Sequence, residues 1–366
     1  MDEVSGAHAL RKANLPAKRS VMDPSIKIRA RAPLRLGLAG GGTDVSPYVD
    51  TYGGAVMNVT IDRYVYASIE WNDGNEVVIE SHDLSATARH AAGQAIPFDG
   101  NLDIVKAVYN RVARDFMNGQ FAPLSISTYS EAPAGSGLGS SSALVVAVLQ
   151  AFTELLGLPL GEYDVAHLAF EIERNDLGFH GGRQDQYAAT FGGFNFMEFH
   201  DADTVIVNPL RVKTEVTNEL ESQTLLCFSG ISRESAGIIE RQSANVRSGS
   251  TRSIEAMHRL KESAVAMKRA ILKGDINGVA EALNVGWISK RDMAEGIVTE
   301  TIESAMSVAL QAGATAGKIS GAGGGGFIMF LVPIRKRRNV ITSLSEHGFR
   351  TEGCRFTNDG AMAWRV

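Results

Sequence analysis

Residues Pro133-Ala-Gly-Ser-Gly-Leu-Gly-Ser-Ser-Ser-Ala143 decide how this chain is read. They follow a strand-like run in which Leu124, Ile126 and Thr128 alternate with polar residues, and they lead into an apolar stretch at 144–156. Three glycines and three serines therefore stand on a turn from a strand into a buried helix. A helix start presents unpaired backbone N–H groups and roughly half a positive elementary charge. Glycines let that backbone approach an anion closely, and serine hydroxyls can donate to it or ligate a cation. A serine cap after a loop accounts for one serine and not for three, so the segment reads as a phosphate cradle. It is neither of the common ones. The Walker loop needs Gly-Lys-Ser/Thr, and no lysine stands here. Gly135, Gly137 and Gly139 give Gly-x-Gly-x-Gly, not the dinucleotide fingerprint, and that fingerprint's later acidic residue is missing.

Bulk properties fit an enzyme with ample core. The 366 residues are enough for two domains. Lys+Arg of 36 against Asp+Glu of 41 gives a net charge of −5, so no global basic field points to nucleic acid. The run Arg335-Lys336-Arg337-Arg338 reads as the solvated start of a surface helix. Only Cys227 and Cys354 occur, which is reduced, cytoplasmic usage and neither a disulfide framework nor a metal site. No apolar run approaches a bilayer span, and the N-terminus has no hydrophobic signal region. Asn58-Val59-Thr60 matches a glycosylation acceptor, but inside a strand of a cytoplasmic protein the match is chance.

Residues 1–24 are polar, basic and aperiodic, and are expected to be a disordered extension. Ile26, Ile28 and Ala30 then alternate with Lys27, Arg29 and Arg31, the period of a half-buried strand, and Leu34, Leu36 and Leu38 resume it beyond Pro33. A second glycine cluster follows, Gly40-Gly41-Gly42-Thr43-Asp44. Met57, Val59, Ile61, Val65, Ala67, Ile69 and Trp71 mark a long strand, and 77–79 is expected to pair with it across Asn72-Asp73-Gly74. Leu102, Val105, Val108, Val112 and Phe116 repeat at helical spacing, as do Val165, Leu168, Ala169 and Ile172. Long helices are expected around 251–273, 276–291 and 300–312. A third glycine cluster, 321–326, precedes a strand at 327–332. Mixed strands and helices without strict alternation indicate an α+β protein of two lobes, 25–205 and 206–366, with the glycine clusters converging on the cleft between them.

The three clusters together resemble the GHMP small-molecule kinases. Arg31-Ala-Pro-Leu-Arg-Leu-Gly-Leu-Ala-Gly-Gly-Gly-Thr-Asp44 is similar to their first motif, 133–143 to their second, and Lys318-Ile-Ser-Gly-Ala-Gly-Gly-Gly-Gly-Phe327 to their third. The match runs in the right order from about residue 26 to the C-terminus. Within the family, the triple glycine before Thr43-Asp44, the continuation Ser46-Pro47-Tyr48 and the four-glycine third motif look most like the D-glycero-D-manno-heptose 7-phosphate kinases; the kinase part of fucose kinases is similar. The resemblance implies ATP-dependent phosphorylation of an anomeric hydroxyl, giving heptose 1,7-bisphosphate for nucleotide-activated heptose and surface polysaccharide.

The resemblance also implies roles. Pro133, Gly135, Ser136, Gly137, Leu138, Gly139, Ser140, Ser141 and Ser142 would wrap the ATP phosphates. Ser141 would ligate Mg²⁺, with Ser140 and Ser142 as alternatives, and Glu173 would supply the carboxylate unless it only pairs with Arg174. Asp185 would orient the anomeric hydroxyl and take its proton. Asp44, with Gly41, Gly42 and Thr43, would meet the sugar, and Gly323 and Gly324 would close over it or support the phosphate loop. The 7-phosphate needs cations, and Arg31, Arg35, Arg183, Arg233 and Lys318 are the candidates. Partners are a small sugar phosphate and ATP, with no nucleic acid and no membrane; monomer and homodimer both stay open. Fucose or another sugar is the alternative substrate. A non-catalytic sugar sensor could dispense with Asp185 and Glu173, and both are present.

Overall fold

A computed structural model describes residues 25–200, 204–230 and 236–366. The expectation for 1–24 and the candidate Arg233 lie outside them. The strand Lys27–Ala39 spans both alternating segments seen in the sequence. Its ladder shifts register between Pro33 and Leu34, where proline has no N–H to donate. It lies between Gly54–Trp71 and the C-terminal Met362–Arg365, antiparallel to both. Gly54–Trp71 is long enough to carry two more partners, Phe194–His200 along its first half and Leu124–Ser130 along its second. Among the described residues the first sheet has eight strands.

The expected hairpin does not form. Asn72 Oδ1 accepts the Gly74 N–H at 3.1 Å, so the chain turns there. The following strand, Glu76–Ser81, pairs instead in parallel with Leu124–Ser130 and antiparallel with Ala86–Ala91. Leu124 and Ile126 are fully buried, and their strand takes the place beside Gly54–Trp71 through a seven-pair ladder. Burial of a non-local strand outweighs a local turn signal.

The helix Ser140–Leu156 packs across Lys27–Ala39 and Gly54–Trp71. Val145, Val148, Leu149 and Phe152 meet Leu34, Leu36, Val59 and Ile61 in one core. This packing fixes where the helix begins, and therefore where the glycine-serine turn sits.

The second sheet runs, among the described residues, through four antiparallel strands in the order Arg350–Gly353, Thr224–Phe228, Phe327–Leu331, Ala316–Ile319. Its three long helices, Thr251–Lys273, Ile276–Met293 and Glu300–Ala312, match the sequence expectation closely. Ser250, Asp275 and Thr299 cap them, each side chain accepting a backbone N–H three residues on. Thr251–Lys273 also packs on the first sheet and so joins the lobes. Cys227 and Cys354 are buried free thiols.

The sheets do not part at 205/206. Thr204–Pro209 pairs with its neighbour Phe194–His200 and stays in the first sheet, and Met362–Arg365 returns there from the far end of the chain. A return strand leaves no local mark in sequence. Phe152→Ala is expected to cost about 3–5 kcal/mol by opening a cavity beneath the phosphate-loop helix. The urea midpoint should fall with an unchanged slope.

Candidate active site

A cleft of about 610 Å³ opens between the lobes, and residues from all three glycine clusters line it. The phosphate loop is built for close approach. Gly137 and Gly139 hold φ of +77° and +78°, the left-handed region that favours glycine. A Cβ on Gly137 would stand 2.5 Å from the Ser320 carbonyl oxygen. The Arg35 N–H donates to the Leu138 carbonyl at 3.0 Å and the Phe327 N–H to that of Ser136 at 2.9 Å, so each lobe grips the loop. Gly135, Gly137, Gly139, Ser140, Ser141 and Ser142 face the cleft. Ser136 and Leu138 do not: both are fully buried, and Ser136 accepts the Leu138 N–H at 3.4 Å. Pro133 is off the cleft wall, its carbonyl accepting the Ser136 N–H.

Asp185 lies in the first turn of the helix Gln184–Phe191. Arg35 grips it bidentately, Nε to Oδ1 at 2.8 Å and Nη2 to Oδ2 at 2.7 Å, and its Nη1 donates to the Gly137 carbonyl. A Cβ on Gly139 would lie 3.5 Å from Asp185 Oδ2, which puts the carboxylate against the phosphate loop. Arg35 is thereby committed to Asp185, not to a phosphate at the far end of a sugar.

Asp44 is 2 % exposed and its carboxylate is occupied. Oδ2 accepts the backbone N–H groups of Arg183 and Gln184 at 2.9 and 3.0 Å; Oδ1 accepts from Gly42 N and Gln184 Nε2. It caps the helix that carries Asp185 while keeping a place on the cleft wall beside Gly41 and Gly42. Thr43 is withdrawn from the cleft, its hydroxyl donating to the Gly40 carbonyl and accepting the Ala55 N–H.

Other expected ligands lie elsewhere. Arg31 pairs with Asp359 at 3.0 Å and stacks on Tyr64. Four residues of strand, about 13 Å, separate it from Arg35, which carries it out of the cleft. Arg183 is buried over the Phe170 ring and is not on the cleft wall. Gly323 and Gly324 pack on Ile297, where Gly324 N–H donates to the Ile297 carbonyl at 2.9 Å. Gly321 and Ala322 take the cleft wall in their place, and a Cβ on Gly321 would stand 2.7 Å from Gly137 Cα. The third cluster therefore supports the phosphate loop.

Glu173 lies on a π-helical stretch, Ile172–Asp176, at the end of Glu162–Glu171. Arg111 holds that stretch, bonding Asp176 at 2.7 and 2.8 Å and Glu171 at 2.9 Å. Burial pushes the Glu173 carboxyl up, against the charge of Arg174 and hydrogen bonds from Ser142 and Gln186. Ser142 Oγ donates to Glu173 Oε2 at 2.7 Å, whereas Ser141 is solvent-exposed. Gln186 Oε1 is buried beside this carboxylate with no hydrogen-bond partner among the described residues. Ser142, Glu173 and Gln186 thus gather oxygen donors that suit a hard cation. Among the described residues no group of three or more His, Cys, Asp or Glu is placed to hold a metal ion.

Two buried lysines complete the floor. Lys318, expected from its motif, donates to the Gly37 carbonyl at 2.7 Å. Lys290, not anticipated, donates to the Gly321 carbonyl. Burial, with Arg35 nearby, lowers Lys290 to about 8 against the opposing pull of Asp44 and Asp185; burial, Lys290 and Arg35 hold Lys318 well below the lysine range. The sequence signal for Lys290 was its place on the stripe Val279, Leu283, Trp287, Lys290, Met293, where a lysine replaces an apolar residue. Gln184, Gln242 and Arg174 also line the cleft without motif signals, and Arg174 pins its loop by donating to the carbonyls of Phe179 and Gly182. His180 is exposed on that loop.

Comparison with known proteins identifies the family. Residues 103–193 match the GHMP kinases N-terminal domain and 267–349 the GHMP kinases C-terminal domain. A D-glycero-alpha-D-manno-heptose 7-phosphate kinase of Campylobacter jejuni is 45% identical over 341 residues, covering 93% of this chain and 99% of that one. The chain belongs to the GHMP kinases. Among solved structures, a D-glycero-D-manno-heptose 1-phosphate kinase from Bacteroides thetaiotaomicron matches with a TM-score of 0.78 and 44% identity, covering 93% of this chain and 99% of that one. A mevalonate kinase of Pyrococcus abyssi, 24% identical, covers 90% of this chain and 98% of its own. The two-lobed α+β fold is thus that of a GHMP kinase, and the chain is a kinase.

In this GHMP kinase, the partnership of Ser142 with Glu173 gives a direct test. If the kinase uses Mg²⁺ held by Ser142 and Glu173, the Mg²⁺ concentration for half-maximal rate should rise at least about tenfold in Glu173→Gln and Ser142→Ala, and less than about twofold in Ser141→Ala. A magnesium titration of initial rate reads this. The reverse ranking of the two serines would place the cation at the outer hydroxyl.

Proposed function

We propose that this GHMP kinase transfers the γ-phosphoryl group of ATP to the anomeric hydroxyl of D-glycero-D-manno-heptose 7-phosphate, giving the 1,7-bisphosphate. The observation that carries this reading is the 45% identity to a heptose 7-phosphate kinase across 99% of that protein. The product would feed nucleotide-activated heptose and surface polysaccharide, and two buried free thiols with ATP use support a cytoplasmic setting.

Each part of the site has a place in the reaction. The loop at 135–142 offers backbone N–H groups and the start of a helix to the ATP phosphates. Asp185, clamped by Arg35 against that loop, accepts the proton of the anomeric hydroxyl as it attacks. Phosphoryl transfer runs through a loose transition state, so a fixed orientation matters more than a strong base. Ser142 and Glu173 would hold Mg²⁺, whose chemistry is to neutralise charge on the phosphates. Asp44 holds Arg183 and Gln184 by their backbone, which keeps Asp185 at the head of its helix.

Initial rates across a panel of acceptors test the substrate. Heptose 7-phosphate should exceed the unphosphorylated heptose in kcat/KM by at least about tenfold, since one charge-assisted contact contributes about 1.5–3 kcal/mol. Phosphorus NMR of the product should show a new anomeric phosphate. Fucose or galactose turned over equally well would move the assignment to another sugar 1-kinase.

A further inference from the structure

We infer that Lys290 is a catalytic residue of this kinase, its ammonium meeting the phosphoryl group in transit between ATP and the sugar. The inference rests on the kinase reading above and extends it to a residue outside all three glycine motifs.

Position is the first argument. Lys290 stands on the apolar stripe of Ile276–Met293, 4 % exposed, and its amine emerges at the cleft beside Gly321. Gly321 is in backbone contact with Gly137 of the phosphate loop, and Gly137 is also held by Arg35 and Ser320. Asp185, the acid proposed to take the sugar's proton, abuts Gly139 of the same loop. The ammonium therefore borders the space that donor phosphate and acceptor hydroxyl must share.

Charge is the second. The groups facing Lys290 are Arg35, Lys318, Asp44 and Asp185. Arg35 and Asp185 neutralise each other through two hydrogen bonds, and Asp44 is taken up by backbone N–H groups. Lys318 is buried and donates to the Gly37 carbonyl, and burial with Lys290 and Arg35 holds its amine well below the lysine range. The one partner that the described residues give Lys290 is a neutral carbonyl. A desolvated cation with only a neutral acceptor is costly, and an arriving anion relieves that cost. Negative charge on the equatorial oxygens of the transferring group is what a fixed cation stabilises.

In the step itself, the bond from the γ-phosphorus to the β–γ bridging oxygen breaks and ADP leaves with the electron pair. The anomeric oxygen forms the new bond to phosphorus, and its proton goes to Asp185. Lys290 keeps its protons throughout. In the free enzyme its charge is present below about pH 8 and is lost above, so the fraction of enzyme poised to meet the phosphates falls as pH rises through that value.

The experiment compares wild type, Lys290→Met and Lys290→Arg with both heptose 7-phosphate and the unphosphorylated sugar. Lys290→Met should lower kcat by about 10²–10³-fold with either acceptor, a loss of the size seen for one transition-state donor. ATP affinity by calorimetry should change less than about threefold, as expected for a contact made only in the transition state. Wild-type kcat/KM, which reports the free enzyme, should decline above about pH 8. Lys290→Arg should keep part of the rate without that decline, because arginine stays charged. A loss confined to the phosphorylated acceptor would overturn the inference and assign the amine to the far-end phosphate. An alkaline decline that persists in Lys290→Arg would overturn it too, and this readout stands even if Lys290→Met fails to fold. Should wild type not use heptose 7-phosphate at all, the substrate reading fails by itself. The comparison then runs on the best acceptor found.

Discussion

Two hydrogen bonds from Arg35 to Asp185, at 2.8 and 2.7 Å, bind together the parts of this site that sequence keeps apart. Arg35 comes from a central strand of the first sheet, Asp185 from a helix 150 residues later, and the third guanidinium nitrogen reaches the Gly137 carbonyl of the phosphate loop. The side chain of Arg35 is 6 % exposed and that of Asp185 25 %, so the pair is partly desolvated. Removing one member of such a pair costs far more than the net worth of the contact, because the other charge is stranded. The strand, the loop and the acid-bearing helix consequently have one mutual arrangement.

A second constraint comes from bare backbone. The phosphate loop and the third glycine cluster approach so closely that a Cβ on Gly326 would stand 2.4 Å from the Ser136 carbonyl oxygen. These contacts run between lobes, and the Phe327 N–H to Ser136 carbonyl bond ties the second sheet to the loop. Distant glycine-rich motifs thus serve one piece of geometry: one presents N–H groups to phosphate, and another lets the second lobe press against its back. Lys290 reaches the cleft because its helix packs on the second sheet beside that contact.

Much of this was legible in sequence. Period-two alternation marked the strand Lys27–Ala39, and helical spacing marked Thr251–Lys273, Ile276–Met293 and Glu300–Ala312, because burial on one face dictates both patterns. The glycine clusters pointed to one cleft, and all three reach it. What failed depended on partners distant in sequence. The strand at 76–81 joined Leu124–Ser130 through burial that no turn motif encodes. Of the three serines left open as cation ligands, it is Ser142 that faces Glu173, because the docking of one helix sets which hydroxyl turns inward. Arg31 and Arg35 look alike in the first motif, yet four residues of strand separate a surface pair from the heart of the site.

The central claim is that Arg35 and Asp185 act as one unit. A double-mutant cycle on kcat, with Arg35→Met, Asp185→Asn and the pair, tests it most directly. The account predicts strong non-additivity: the double variant should be scarcely slower than Asp185→Asn alone, with a coupling of at least about 1.5 kcal/mol. Losses that simply add, with each residue contributing independently of the other, would contradict it.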